Sequence, residues 1–162
     1  MLRKEQYLVK ELSFDAAHFV HTAGKDSPCR FIHGHTWKVI VSLAGEMRKD
    51  GMIIDFRLLK KVIDKYDHKI ILPSQLCTKI NAVEGMVSIQ TDTFFGEFNI
   101  KGVKFIDSIS STAENIANEI LKDILNKGNQ EGYKITMIDV EVFESPTASV
   151  QSCWSDMSDG DD

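Results

Sequence analysis

At 162 residues, 43% hydrophobic and 27% charged, the chain has the size of one domain that can bury a core without disulfides or a structural metal. A net charge of −5 argues against a nucleic-acid binder working by phosphate neutralisation, and three irregularly spaced cysteines, Cys29, Cys77 and Cys153, do not form a disulfide framework. No run approaches the ~18 apolar residues of a membrane span, and the mixed segment Met1 to Lys10 lacks the apolar core of a signal peptide, so a soluble, cytoplasmic protein is expected.

From Tyr7 to His18 the even positions Leu8, Leu12, Phe14 and Ala16 are apolar, Lys10 excepted. That alternation predicts a half-buried strand, and His18 falls on its apolar face. Phe19 to Pro28, with Gly24, Lys25, Asp26 and Ser27, reads as a polar loop. Lys25 and Arg30 are expected to be solvated charges near whatever site forms there, in reach of an anionic substrate.

The stretch Cys29-Arg30-Phe31-Ile32-His33-Gly34-His35 then places a thiol and two imidazoles close together. On an extended segment the i, i+2 spacing sends the rings of His33 and His35 to one face, and Gly34 lets the backbone approach a ligand. Two converging imidazoles suit zinc. A catalytic zinc takes three protein ligands and keeps one position open, and His18, at the end of the other extended run, is the best-placed third. Without His33 and His35, His18 would read as a core histidine satisfied by backbone. Cys29 is too close to His33 for a convincing fourth ligand on the same strand. Beside a divalent cation its thiol would have a lowered pKa and suit a base near neutral pH.

The odd positions Trp37, Val39, Val41 and Leu43 continue the face of His35 and predict a second strand. Gly45 to Gly51 turns the chain into a helix with Leu59, Val62, Ile63 and Tyr66 at helical spacing and Asp55 as N-cap. The helix is expected to end near Asp67-His68, an acid and imidazole that read either as a surface pair or as the orienting half of a proton relay. Between Pro73 and Ile109, Met86–Gln90 and Val103–Asp107 are strand-like, and Phe94-Phe95-Gly96 reads as a loop. Ser111-Thr112-Ala113-Glu114 predicts a capping box ahead of Ile116, Ala117, Ile120, Leu121, Ile124 and Leu125, a stripe stopped at Gly128. From Lys134 to Glu144 the even positions Thr136, Ile138, Val140 and Val142 face one way, and Glu144 ends that parity. In water Glu144 is an ordinary strand end; buried, it needs a donor-rich partner, which a bound heterocycle would supply. Pro146 turns the chain, Thr147 to Cys153 returns as a short strand, and Asp156 to Asp162 reads as a disordered acidic tail behind one domain over 1–155.

Taken in order, Phe14-Asp15-Ala16-Ala17-His18, Cys29-x-x-x-His33-Gly34-His35, Asp67-His68, Ser111-Thr112-Ala113-Glu114-Asn115 and Glu144 resemble the 6-pyruvoyl-tetrahydropterin synthase family. The likeness is strongest to its 6-carboxy-tetrahydropterin synthase branch, where three residues separate the cysteine from His-Gly-His. The resemblance implies an α+β tunnelling fold, a four-stranded antiparallel sheet with two main helices on one face, here with an insertion around 81–110. It implies homo-oligomers, trimers or hexamers, with active sites between subunits. It further implies zinc (Zn2+) on His18, His33 and His35, Cys29 as base, His68 oriented by Asp67 as proton carrier, and Glu144 gripping the pterin. Ser111 and Thr112 at a helix N-terminus would complete the pocket. The implied substrate is 7,8-dihydroneopterin triphosphate, with 6-carboxy-5,6,7,8-tetrahydropterin, acetaldehyde and triphosphate as products and queuosine biosynthesis as their use. The alternatives are a pyruvoyl-forming lyase of the same family and a zinc-stabilised binding module in which Cys29 and the three histidines form a closed set. Ser110-Ser111 stands where the family usually has Asn-Pro.

Overall fold

Two alternating segments organise the chain, β1 (Leu8–His18) and β2 (His33–Gly45). They are followed by α1 (Phe56–Ile63), β3 (Lys69–Pro73), β4 (Cys77–Asn81), β5 (Met86–Gln90), β6 (Phe95–Asn99), β7 (Val103–Ile106), α2 (Ala113–Gln130), β8 (Ile135–Ser145) and β9 (Ala148–Ser155). The structure, a computed structural model, describes residues 6–81 and 85–156, without the side chains of 77–81. The expected acidic tail beyond Asp156 lies outside the described residues, as do residues 1–5.

β1 and β2 pair antiparallel with Phe14 opposite Trp37, Ala16 opposite His35 and His18 opposite His33. In that register the even positions of β1 share a face with the odd positions of β2, and Phe14, Trp37, Val39, Val41 and Leu43 are buried on it. β8 pairs with β2, and β9 with β8. These are the four antiparallel strands expected, but the sheet has six, in the order β7-β3-β1-β2-β8-β9. β3 and β7 add in parallel beside the end of β1, with Ala17 opposite Ile70 and Ile70 opposite Val103. β7 falls on the strand expected at Val103–Asp107, whereas β3 was not expected, being a short apolar run without the alternation of a half-exposed strand.

Asp55 caps α1 by accepting from Arg57 N at 2.8 Å, and Leu58, Leu59, Val62 and Ile63 turn inward. α2 is capped by Thr112, whose Oγ1 accepts from Asn115 N at 3.4 Å, one residue later than the expected Ser111. Nor does α2 stop at Gly128. It runs to Gln130 and ends where Tyr133 N donates to Gly128 O and Gly132 N to Asn129 O, with Gly132 at φ 77° as the left-handed residue this closure requires. Gly128 is buried instead against β8, where an added Cβ would lie 2.9 Å from Ile135 Cδ1. Close approach, not termination, explains that glycine.

The insertion forms a separate three-stranded sheet, β4-β5-β6. Phe95 and Gly96, expected in a loop, begin β6, where Gly96 pairs with Ile89. Val87 and Ile89 of this sheet pack with Phe19, Ile70, Leu72, Phe94 and Phe98 in a second core beside the main one. Among the described residues no helix is long and apolar enough to cross a membrane.

A candidate metal centre and its adjoining cavities

Because His18 lies opposite His33 in the hairpin, and His35 follows two residues later, three imidazoles share one end of the buried face. Their ring centroids are 4.5, 4.9 and 5.2 Å apart. Trp37 closes the inner side, edge-on to His18 and His35. The fourth member is Glu144. Between Phe143 and Ser145, β8 holds one residue more than β9, and Glu144 is that extra residue. Glu144 keeps the even parity of the buried Ile138, Val140 and Val142, and its Oε1 comes 3.3 Å from His18 Nε2 and 3.5 Å from His35 Nε2. One ligand atom from each of the four residues lies within 4.8 Å of the others.

The hydrogen bonds fix what these atoms offer. His18 Nδ1 lies 2.6 Å from Ser111 O, and His33 Nδ1 2.8 Å from Phe31 O. A carbonyl oxygen only accepts, so both rings carry hydrogen on Nδ1 and, when neutral, a lone pair on Nε2. Burial lowers His18 to a pKa of about 4, so it is neutral at pH 7, and burial also lowers His35 against the opposing pull of Glu144. The Nε2 atoms of His18 and His35 are both buried without a hydrogen-bond partner. Nitrogen lone pairs and a carboxylate thus converge on one point, an arrangement that repels itself and is satisfied by a cation. Imidazole nitrogens with a carboxylate are a donor set that zinc accepts. The residues present therefore fit the expected ion, and backbone carbonyls supply the outer hydrogen bonds that usually orient metal-binding imidazoles.

Cys29 lies on the short turn Pro28–Arg30, where Ser27 Oγ accepts from Cys29 N at 3.3 Å, and its side chain is exposed. It lines two cavities. One, of about 320 Å³, is shared with Pro28, His33, His35 and Glu144. The other, of about 360 Å³, is shared with Val20, Thr112, Glu114, Glu144 and Ser149 among others. Cys29 and Glu144 line both cavities and so join the imidazole cluster to the second recess. Glu114 adds a carboxylate there; in the sequence it stood as a capping residue and as part of the Ser111–Asn115 motif, with no site role of its own.

Two expected roles change. Ser111 is fully buried, with Oγ donating to Phe19 O at 2.9 Å and its carbonyl holding His18, so it orients a ring and has no surface left for a substrate. Arg30 is not a solvated charge. It is 7% exposed and donates to His21 O, Ala23 O and both oxygens of Asp92. Lys25 is exposed, as expected.

Asp67 and His68 form the anticipated pair, with His68 Nδ1 2.8 Å from Asp67 Oδ2. Asp67 Oδ1 also accepts from Asp15 N, and this backbone donor, more than His68, holds the Asp67 carboxyl below its ordinary pKa. His68 adopts φ 56°, a left-handed conformation uncommon outside glycine, at the entry to β3. His68 lines a cavity with Asp15, Gly34, His35, Thr36 and Lys69, and Cys29 lines other cavities.

The fold and its donor set define an α+β protein in which a hairpin-borne cluster of three histidines and a glutamate, able to hold a metal ion, lies beside a cavity lined by a cysteine. Residues 7–153 match the family model of 6-pyruvoyl tetrahydropterin synthase. The 6-carboxy-5,6,7,8-tetrahydropterin synthase of Haemophilus influenzae is 31% identical over 150 residues, covering 86% of this chain and 92% of that protein. A Pyrococcus abyssi protein that carries the same name provisionally is 34% identical over 145 residues, covering 90% and 87%. Among solved structures, a Plasmodium vivax 6-pyruvoyltetrahydropterin synthase variant altered at a catalytic residue superposes with a TM-score of 0.73 at 26% identity, covering 94% of this chain and 99% of that one. The chain belongs to the 6-pyruvoyl-tetrahydropterin synthase family and is a tetrahydropterin-synthase-type enzyme.

Proposed function

We propose that the protein is a zinc-dependent 6-carboxy-5,6,7,8-tetrahydropterin synthase, a lyase that converts 7,8-dihydroneopterin triphosphate and water to 6-carboxytetrahydropterin, acetaldehyde and triphosphate. The observation that carries this is the convergence of unpartnered imidazole nitrogens beside Cys29. The three-residue gap before His33-Gly34-His35 and the names of the relatives support the carboxy branch. Queuosine or a related deazapurine is the use we assign to the product.

Zinc held by His18, His33 and His35 would supply Lewis-acid polarisation of the substrate's side-chain hydroxyl oxygens. The carbonyls of Ser111 and Phe31 keep two of these rings in the tautomer that presents Nε2. Cys29, as thiolate, takes a proton from the substrate side chain, which requires the reduced thiol of a cytoplasmic setting. Glu144 reaches both cavities and grips the pterin's amino and ring N–H groups through charge-assisted hydrogen bonds, fixing which carbon faces the thiol. Thr112 borders the same recess at the start of α2. His68, oriented by Asp67, carries protons for the cavity of a neighbouring copy, since in its own protomer it lines a cavity that Cys29 does not; this asks for a homo-oligomer, a trimer or hexamer, with sites between subunits.

The deciding assay incubates the zinc-loaded protein with 7,8-dihydroneopterin triphosphate. Acetaldehyde and triphosphate released in equal amounts are expected. Triphosphate without acetaldehyde would assign the pyruvoyl-forming reaction instead. Chelation that unfolded the chain would favour the zinc-stabilised binding module; lost turnover with retained helices is the expected result, because the buried apolar core does not depend on the ion.

A further inference from the structure

We propose that the inserted β4–β6 sheet is a positioning device for the Cys29 turn, acting through an ion pair between Asp92 and Arg30. This rests on reading Cys29 as the reacting thiol. The three imidazoles hang from paired strands, but Cys29 lies in the connection from Phe19 to Ile32, outside the β1–β2 ladder. Something else has to hold the sulfur.

Arg30, the next residue, does so from below. Its side chain is 8% exposed. Nη1 donates to His21 O at 2.9 Å and Ala23 O at 2.8 Å, tying the returning half of the connection to the outgoing half. Nη2 donates to Asp92 Oδ1 and Oδ2 at 2.6 and 2.5 Å. Asp92 belongs to the turn between β5 and β6, which is itself shaped by Thr91 N donating to Phe94 O at 2.7 Å. The same turn reaches the other end of the connection, where the Phe94 ring packs 5.5 Å from Phe19, the residue after His18. Val20 N then donates to Cys29 O at 2.7 Å and closes the circuit.

A buried guanidinium needs a charged, hydrogen-bonded partner to remain in place. Asp92 is the carboxylate that supplies it, and its own side chain is 68% exposed. Losing it frees the Arg30 head group and the turn that carries Cys29, while leaving the strand-borne imidazoles where they are. Asp92 and Arg30 are therefore positioning residues; neither contacts the imidazole cluster.

The test uses Asp92→Ala, Asp92→Asn and Asp92→Glu in the intact zinc-loaded enzyme. Asp92 is chosen because removing Arg30 could stop the chain folding. Expected are unchanged zinc content and a kcat lower by about 10- to 100-fold with KM within about twofold, the scale of a misplaced reacting group. Asp92→Glu should recover part of kcat. Independently of turnover, the rate at which iodoacetamide alkylates Cys29, read from the mass of its peptide, should change about fivefold or more as the turn loosens. Wild-type kcat and alkylation rate in Asp92→Ala would overturn the proposal, as would zinc loss and a fall in Tm that accounts for all lost activity. Should Cys29→Ala itself remain active, the reading of the thiol fails, and the alkylation rate still reports whether Asp92 holds the turn.

Discussion

His33 contributes one of the converging ring nitrogens and is aligned by the Phe31 carbonyl. His33→Ala is expected to lose zinc, measured as metal content after gel filtration; full occupancy would overturn the ligand set. Cys29→Ala should keep zinc and fold, because the thiol belongs to a surface turn, while turnover falls by about 100-fold or more, as loss of a general base does. Steady-state rates at matched zinc content check this, and near-normal turnover would remove Cys29 from the chemistry. Glu144→Gln separates two uses of one carboxylate. A lower kcat/KM with full zinc is expected from a group that grips the pterin; weaker zinc binding would make Glu144 a fourth ligand, which its distances to His18 and His35 permit. Strand parity put each of the three histidines on an apolar strand face in the sequence, and the need of a catalytic zinc for three ligands joined them. Parity also set Glu144 on the face of Val140 and Val142, where it meets two of the rings; what the alternation did not carry is the bulge at 143–145, in which Glu144 has no partner on β9. Arg30 was misread for a different reason. A charged residue in a polar loop is ordinarily solvated, and its partner lies 62 residues away in the least patterned part of the chain.

Strong periodicity made β1, β2, β8 and both helices legible. Their ends were less so, and two glycines show why. Gly45 marks a slip in register, pairing with Ile135 after Ala44 pairs with Met137, so Thr136 turns outward and Ile135 inward against the simple even-face reading of β8. A Cβ on Gly45 would lie 2.4 Å from Lys134 O and 3.3 Å from Ile135 Cα, backbone atoms that cannot rotate away. Gly45→Ala is therefore expected to destabilise the fold by about 1–3 kcal/mol, lowering the thermal midpoint by several degrees for a chain of this size, roughly 2–4 °C per kcal/mol. An unchanged melting curve would mean the bulge relaxes freely. At Gly128 the nearest atom is the tip of the Ile135 side chain, which can move, so the two glycines differ although both lie against β8. β6 escaped the sequence reading because Gly96 has little strand preference and its neighbouring phenylalanines do not alternate with polar residues.

Over the whole molecule, acid acts through the buried ring. The folded chain holds His18 at about 4, below the 6.5 of an exposed imidazole, because burial disfavours its charged form. Between those values the unfolded chain binds the extra proton. Stability of the metal-free protein is thus fully present above about pH 6.5 and is lost as pH falls toward 4, with His18 alone accounting for a loss on the order of 3 kcal/mol. Urea midpoints of the chelated protein across that range check the sign; a midpoint that rises on acidification would contradict a buried neutral His18. The arrangement of two cores and an added sheet was beyond sequence reasoning, since the insertion is tied on by contacts between distant segments and not by any local pattern. One consequence follows from where the sulfur and the rings are carried. Residues gained or lost between Phe19 and Ile32 leave the hairpin register, and with it the imidazole cluster, undisturbed, yet they move the Cys29 sulfur relative to those rings. A change of chemistry can then proceed by editing one connector, with the strand-borne histidines inherited intact.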